Sequence, residues 1–167
     1  VLRIAATAVT LSLGGGAVTL TDGTALLLLS DAGVAGRVTG TFAVDVPQVA
    51  LSGDVAVEVN TGTSPVDETF QVAGETLELV LPAGQYLRVA GTGVTLTIAG
   101  QSLTTDIEVT EASGTTTITL RNTGIVLGGG LLTVAQPTGS TAAIVLDPAG
   151  VYGAIAVDVA LDVPDVT

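Results

Sequence analysis

The chain has 167 residues, 47% hydrophobic but only 2% aromatic and 12% charged, with 16 carboxylates against four arginines and a net charge of −12. Such acidity excludes nucleic acid and anionic membrane as partners, because binding phosphates depends on clustered Lys and Arg. Without Cys there is no disulfide framework, and without His, Cys or Lys there is no ordinary base for a nucleophile and no soft metal site, so no enzyme is expected.

Residues 1–24 hold two short runs around Gly14-Gly15-Gly16. Thr10, Ser12, Thr19 and Thr21 face one way, while Val9, Leu11, Leu13, Val18 and Leu20 face the other, the period of half-buried strands. Leu26 to Leu29 is apolar on both faces, which predicts a strand covered on two sides. An Ala-Gly turn follows, then the long run from Val34 to Val46 and the alternating run from Leu51 to Asn60. Val66 to Glu75 reads as irregular and predicts a longer connection. Strand-like runs resume from Leu77 to Val109 and from Thr115 onward. Gly36, Gly40, Gly91 and Gly93 inside such runs predict bulges or corners. Pro47, Pro82, Pro137, Pro148 and Pro164 sit at turn positions, and no stretch has capped apolar residues at helical spacing. The chain is predicted to be all-β.

A shift of 117 residues carries Ala25, Leu29, Ala32, Gly33, Val34, Gly36, Ala43, Asp45, Val46, Pro47 and Val49 onto identical residues between Ala142 and Val166. A shift of 114 carries Gly14–Gly16 onto Gly128–Gly130. Residues 1–167 therefore read as one segment of a repeat array, with 1–24 the tail of one repeat, 25–141 a complete repeat and 142–167 the head of the next. A fainter period of 51 to 52 lays Leu103, Asp106 and Val109 on Leu51, Asp54 and Val57. The lack of an initiator Met leads to the expectation of a processed product or an excerpt, and the excerpt suits the repeats better. A β-solenoid of stacked coils is the favoured architecture, because a thin interior of Val, Leu, Ile and Ala suffices for it. The alternative is a tandem array of immunoglobulin-like β-sandwiches, whose wider cores usually hold aromatic residues.

Candidate chemistry is sparse. Asp45, Asp54, Asp106, Asp158, Asp162 and Asp165 recur in the repeated unit, and carboxylates on turns suit calcium, which takes six to eight oxygen ligands. Calcium is thus the one cofactor the residues suggest, against the reading of a solvated acidic face. Asn60-Thr61-Gly62-Thr63-Ser64 resembles the Asp-Thr-Gly loop of pepsin-like aspartic proteases, but Asn60 stands at the catalytic position and cannot share the proton of a dyad. A turn closing a strand is the better reading. Alternating threonines such as Thr95 and Thr97 suit an ice-binding array or any exposed sheet. Tyr86 and Tyr152 are expected to pack at strand ends. The longest apolar run is far short of the roughly 18 residues of a spanning helix, and a membrane barrel would carry aromatic girdles. No membrane insertion is expected.

The phrases GVAGRVTGTFAVDVP, LSGDVAVEVNTG, LPAGQYLRVAGTGVTLTIAGQSL and VTLSLGGGAVTLTDG resemble repeats in very long, acidic, adhesin-like bacterial proteins that are surface-exposed or secreted. The resemblance covers nearly the whole chain and carries no motif of assigned chemistry. It implies an extracellular or cell-surface structural part, a stalk or filament, that associates with neighbouring repeats or with itself. A calcium-dependent, glycan-binding or ice-binding module is the alternative.

Overall fold

The computed structural model describes residues 1–112 and 114–162. Its strands are β1 (Leu2–Leu13), β2 (Val18–Ser30), β3 (Gly33–Val46), β4 (Val49–Asn60), β5 (Val66–Val72), β6 (Glu75–Leu81), β7 (Tyr86–Ile98), β8 (Gln101–Ala112), β9 (Thr115–Leu127), β10 (Leu132–Ala135), β11 (Ala142–Asp147), β12 (Gly150–Ala154) and β13 (Asp158–Leu161). No α-helix is present among the described residues, and the protein is all-β.

Eleven strands form one antiparallel sheet in the order β1-β2-β3-β4-β7-β8-β9-β10-β13, with β11 joining β9 to β12. Each long strand pairs with the next long strand of the chain, β4 with β7 across the intervening β5 and β6, so the sheet is a meander. Neither a solenoid coil nor a closed barrel is found among the described residues. Stacked coils would set a strand beside its copy in the next repeat, whereas here tight turns fold β2 back on β1, β3 on β2, β4 on β3, β8 on β7 and β9 on β8. Pro47 and Gln48 make one such two-residue turn, with Gln48 at φ 68°.

Alternation places nearly all apolar side chains on one face. One row across the sheet runs through Val18, Val44, Leu51, Leu96, Leu103 and Ile125, each directly opposite the next. A second row runs through Val38, Val57, Val89, Val109, Ile118 and Ile144. Residues directly opposite share a face, and so do residues two apart on a strand. Hence the other face carries Ser52, Thr95 and Thr104 together with Arg37, Glu58 and Arg88.

Four strands change phase halfway along. In β2 the apolar face takes Val18 and Leu20, then Ala25, Leu27 and Leu29; in β7 it takes Leu87, Val89 and Gly91, then Val94, Leu96 and Ile98. An extra residue must be absorbed at each phase change, and the register shifts there: around Ala8 in β1, Asp22 in β2, Gly93 in β7 and Asn122 in β9. All four residues have positive φ, between 53° and 60°. These are β-bulges, aligned on one line across the sheet, and they keep both halves of each strand facing the same way. The expected bulge at Gly91 and Gly93 is present. Gly40 of β3 lies opposite the β2 bulge, between the pairs Thr21–Thr41 and Thr24–Thr39, and a Cβ there would stand 2.8 Å from Leu20 Cδ1; Gly36 alone lies where the register is unbroken on both sides.

Val66 to Glu75 is not an irregular connection. It forms β5, the Ala73-Gly74 turn and the start of β6, a hairpin set apart from the main sheet as its own two-stranded sheet. Leu77, Leu79 and Leu81 alternate inward on β6, and Phe70 faces inward from β5. They close over Leu26, Leu28 and Ala35 of β2 and β3, and this cluster is the buried core. Only this corner of the polar face is covered. The strand around Leu26 to Leu29 is therefore roofed on one side alone.

The two copies of the repeat fold alike. Ala25 to Ser30 against Gly33 to Val38 has the same register as β11 against β12: Leu27 faces Gly36 as Ile144 faces Gly153, and Leu29 faces Val34 as Leu146 faces Val151. The glycine turns repeat the same backbone, with Gly15 at φ 69°, ψ 26° and Gly129 at φ 68°, ψ 25°. Even single hydrogen bonds recur, since Asp45 N–H donates to the Ala17 carbonyl and Asp162 N–H to the Leu131 carbonyl, both at 2.9 Å. The fainter period survives in the β7–β8 hairpin, where Leu96 faces Leu103 as Val44 faces Leu51, but not in β6, which leaves the sheet.

Candidate functional site

The densest polar cluster is a ladder of alternating charges on the hairpin side of the sheet. Strand register puts Arg37 of β3 opposite Glu58 of β4, and Glu58 opposite Arg88 of β7. Arg37 Nε donates to Glu58 Oε1 at 2.8 Å, Arg88 NH1 stands 3.6 Å from Glu58 Oε2, and Arg88 NH2 is 2.6 Å from Glu108 Oε2 of β8. The Glu58 side chain is only 11% exposed. Tyr86 donates its hydroxyl to Glu58 Oε2 at 3.2 Å. Burial, and then the neighbouring Glu58 carboxylate, raise the Tyr86 pKa above the usual phenol value, so this hydroxyl stays protonated. The hydrogen bond and charge of Glu108 hold Arg88 still more firmly in its charged form, outweighing the opposing effect of its partial burial.

These carboxylates meet across an arginine. Each lies singly between apolar neighbours in its strand, as in GRV, VEV, LRV and IEV. That interruption of an alternating run is the sequence signal from which the ladder could have been found. Arg37 also points its NH1 and NH2 at the Glu78 and Val80 carbonyls of β6, each at 3.5 Å, which ties the ladder to the hairpin.

Of the six aspartates proposed for calcium, the five among the described residues lie on separate parts of the sheet. Asp45 closes β3, Asp54 lies in β4, Asp106 in β8 and Asp158 in β13, while Asp162 follows β13 and Asp165 lies outside the described residues. Asp54 Oδ1 accepts from the Thr41 hydroxyl at 2.7 Å. Asp106 accepts from Gly93 N–H at 2.7 Å and from Asn122 Nδ2 at 2.6 Å, so it links the bulges of β7 and β9. The Gly93 N–H, with Asn122 beside it, lowers its pKa below the ordinary carboxylate value. Among the described residues no three His, Cys, Asp or Glu come together as a metal-binding group.

Asn60 is 2% exposed and spends its amide on the backbone: Nδ2 donates to the Pro82 and Ser64 carbonyls at 2.7 and 3.0 Å, and Oδ1 accepts from Gly62 N–H at 2.9 Å. It pins the loop that launches the hairpin, so the protease-like phrase does the work of a turn. Tyr86 packs against the core at the start of β7, as expected for a strand end. Tyr152 does not, for it is 57% exposed on β12.

Fold and site together define an antiparallel β-meander with a structural charge ladder. Comparison with protein-family models, curated proteins and solved structures finds no match.

Proposed function

We propose that the chain is a structural, non-catalytic repeat segment of an extracellular surface protein, stalk or filament, whose repeats join through strand pairing. The seam between β8 and β9 carries this reading. Counted from β1, whose counterpart 114 residues on is β9, the strand that opens the next period is hydrogen-bonded to the strand that closes the one before, with Val109 opposite Ile118 and Leu103 opposite Ile125. In the sheet β9 follows β1 by the strands β2, β3, β4, β7 and β8, so a repeat contributes six strands. Six is even, and each copy therefore starts in the direction of the one before it. Periodicity is carried sideways along a growing sheet, which accounts for the repeats without stacked coils. The surplus of carboxylates keeps such an array soluble in salty surroundings.

The unpaired edges of β1 and of β12 with β13 are templates for further strands, so copies should also associate end to end. A chain carrying residues 1–114 twice ahead of residue 115 tests the reading by small-angle scattering. The expected gain in length is about 29 Å, six strands at about 4.8 Å each. Two bodies tumbling about a hinge, or an unchanged length, would refute it.

A further inference from the structure

We propose that the aliphatic face of the main sheet, the one opposite the β5–β6 hairpin, docks a second copy of this chain, the two sheets packing face to face. The face is apolar over both halves of the strands, and its central members stay open: Val38, Val57 and Val89 are 45%, 38% and 40% exposed. Nine strand positions at about 4.8 Å and strands near 12 residues at about 3.3 Å give it an area on the order of 1,700 Å². A soluble monomer rarely exposes more than a few hundred Å² of contiguous apolar surface. A stable interface needs about 800 Å² from each partner, so an overlap of half this face is enough.

The charges say what covers it. Among the charged residues paired into the main sheet, Glu111, at the end of β8 and opposite Thr116, is alone in sharing this face. The four arginines and the ladder carboxylates lie on the other side. Two such faces can therefore meet with Glu111, at a strand end, as the one charge from each main sheet to be kept at the rim, although each chain carries −12. The side chains are short and branched, which lets two twisted sheets interleave about 10 Å apart at a small angle. A lipid surface fits less well, because the face has no Trp or Tyr at its rims and the protein has no Lys to hold anionic headgroups. The hairpin cannot serve either. It roofs the opposite face, and a further repeat in the same register would place its hairpin there too.

This inference does not rest on how the repeats join. Sedimentation equilibrium of the whole chain should show a dimer that tightens with salt, as screening relieves the repulsion between two acidic partners. Val57→Lys combined with Val89→Glu puts opposite charges face to face across β4 and β7 of one chain, which leaves folding intact and should weaken the dimer at least 100-fold. Thr104→Glu, on the other face, should leave it unchanged. The chain has no Cys, so a spin label on Val57→Cys reads the geometry directly. Face pairing predicts label separations of roughly 10–20 Å, whereas pairing through β1 edges predicts roughly 30 Å or more. A monomer at 100 µM concentration (about 1.6 mg/ml) in half-molar salt, a dimer that survives the charged pair, label separations of edge pairing alone, or capture by neutral phosphatidylcholine vesicles in place of the dimer would each overturn the proposal.

Discussion

Leu79 is the most enclosed side chain of the protein, 0% exposed between Phe70 and Leu81 of the hairpin and Leu26 and Leu28 of the sheet. Leu79→Ala removes about three methylene equivalents from this cluster, a transfer loss of about 2.4 kcal/mol at about 0.8 kcal/mol each. A cavity term adds to it, since β6 is held in place by β5 and by the Arg37 contacts and can settle only partly into the gap. The expected cost is about 3 kcal/mol, large against a total stability of about 5–15 kcal/mol for a chain of this kind. Urea unfolding followed by far-UV circular dichroism gives the difference directly. Val80→Ala supplies the internal control, because Val80 is the next residue on the same strand, points outward and is 55% exposed. It should cost less than about 0.5 kcal/mol. If Leu79→Ala and Val80→Ala cost the same within error, the hairpin is not roofing a core and the reasoning fails.

Glu58→Gln should destabilise by about 2 kcal/mol, because it leaves Arg37 and Arg88 half-buried without the charge they share, and added salt should not restore the loss; a cost near zero would mean that the ladder is ornamental. Asp106 has a lowered pKa in the folded state, so the stability it contributes is present above its unfolded value and is lost as pH falls through the folded one. Because the group is partly exposed, acid titration below about pH 4 should remove less than about 1 kcal/mol, and Asp106→Asn should abolish that part of the pH dependence. Gly15→Ala and Gly129→Ala should cost about 1 kcal/mol each and equally, since both glycines have left-handed φ and a methyl group would meet nothing within 4 Å; unequal costs would show that the two copies differ energetically. Calcium at millimolar concentration should leave the calorimetric midpoint unmoved, as Asp54 Oδ1 accepts from Thr41, both oxygens of Asp106 accept from Gly93 and Asn122, and no three carboxylates among the described residues come together; an upward shift would revive the aspartates as ligands.

Local alternation made the strands legible in the sequence. Ser12 and Thr19 do face away from Leu13 and Val18, and each turn proline among the described residues lies outside the strands. What alternation cannot say is which strand lies beside which. A repeat of 117 residues fits stacked coils as well as a broadening sheet, and the pairing of β8 with β9 is a long-range contact that local alternation does not encode. The bulges are written in the chain as a change of apolar phase, from Val18 and Leu20 to Leu27 and Leu29, and glycine marks only some of them, at Gly93 and, opposite the β2 bulge, at Gly40. The hairpin was masked by Glu68. That charge sits among inward-facing Val66, Phe70 and Val72, and only the structure shows it reaching past the core to Arg3 of β1, 2.8 Å away. The ladder is not legible in the sequence because its members lie 20 to 30 residues apart and meet only across β3, β4, β7 and β8.

If successive repeats lie side by side, as proposed, the hydrogen bonds of the sheet point along the direction in which an array lengthens. Tension between its two ends would therefore pull strands apart one row at a time, like opening a zipper, instead of loading all rows together in shear. An array built this way yields gradually and lets out chain under stress, and its resistance to stretching would come less from the sheet than from whatever clamps its aliphatic side.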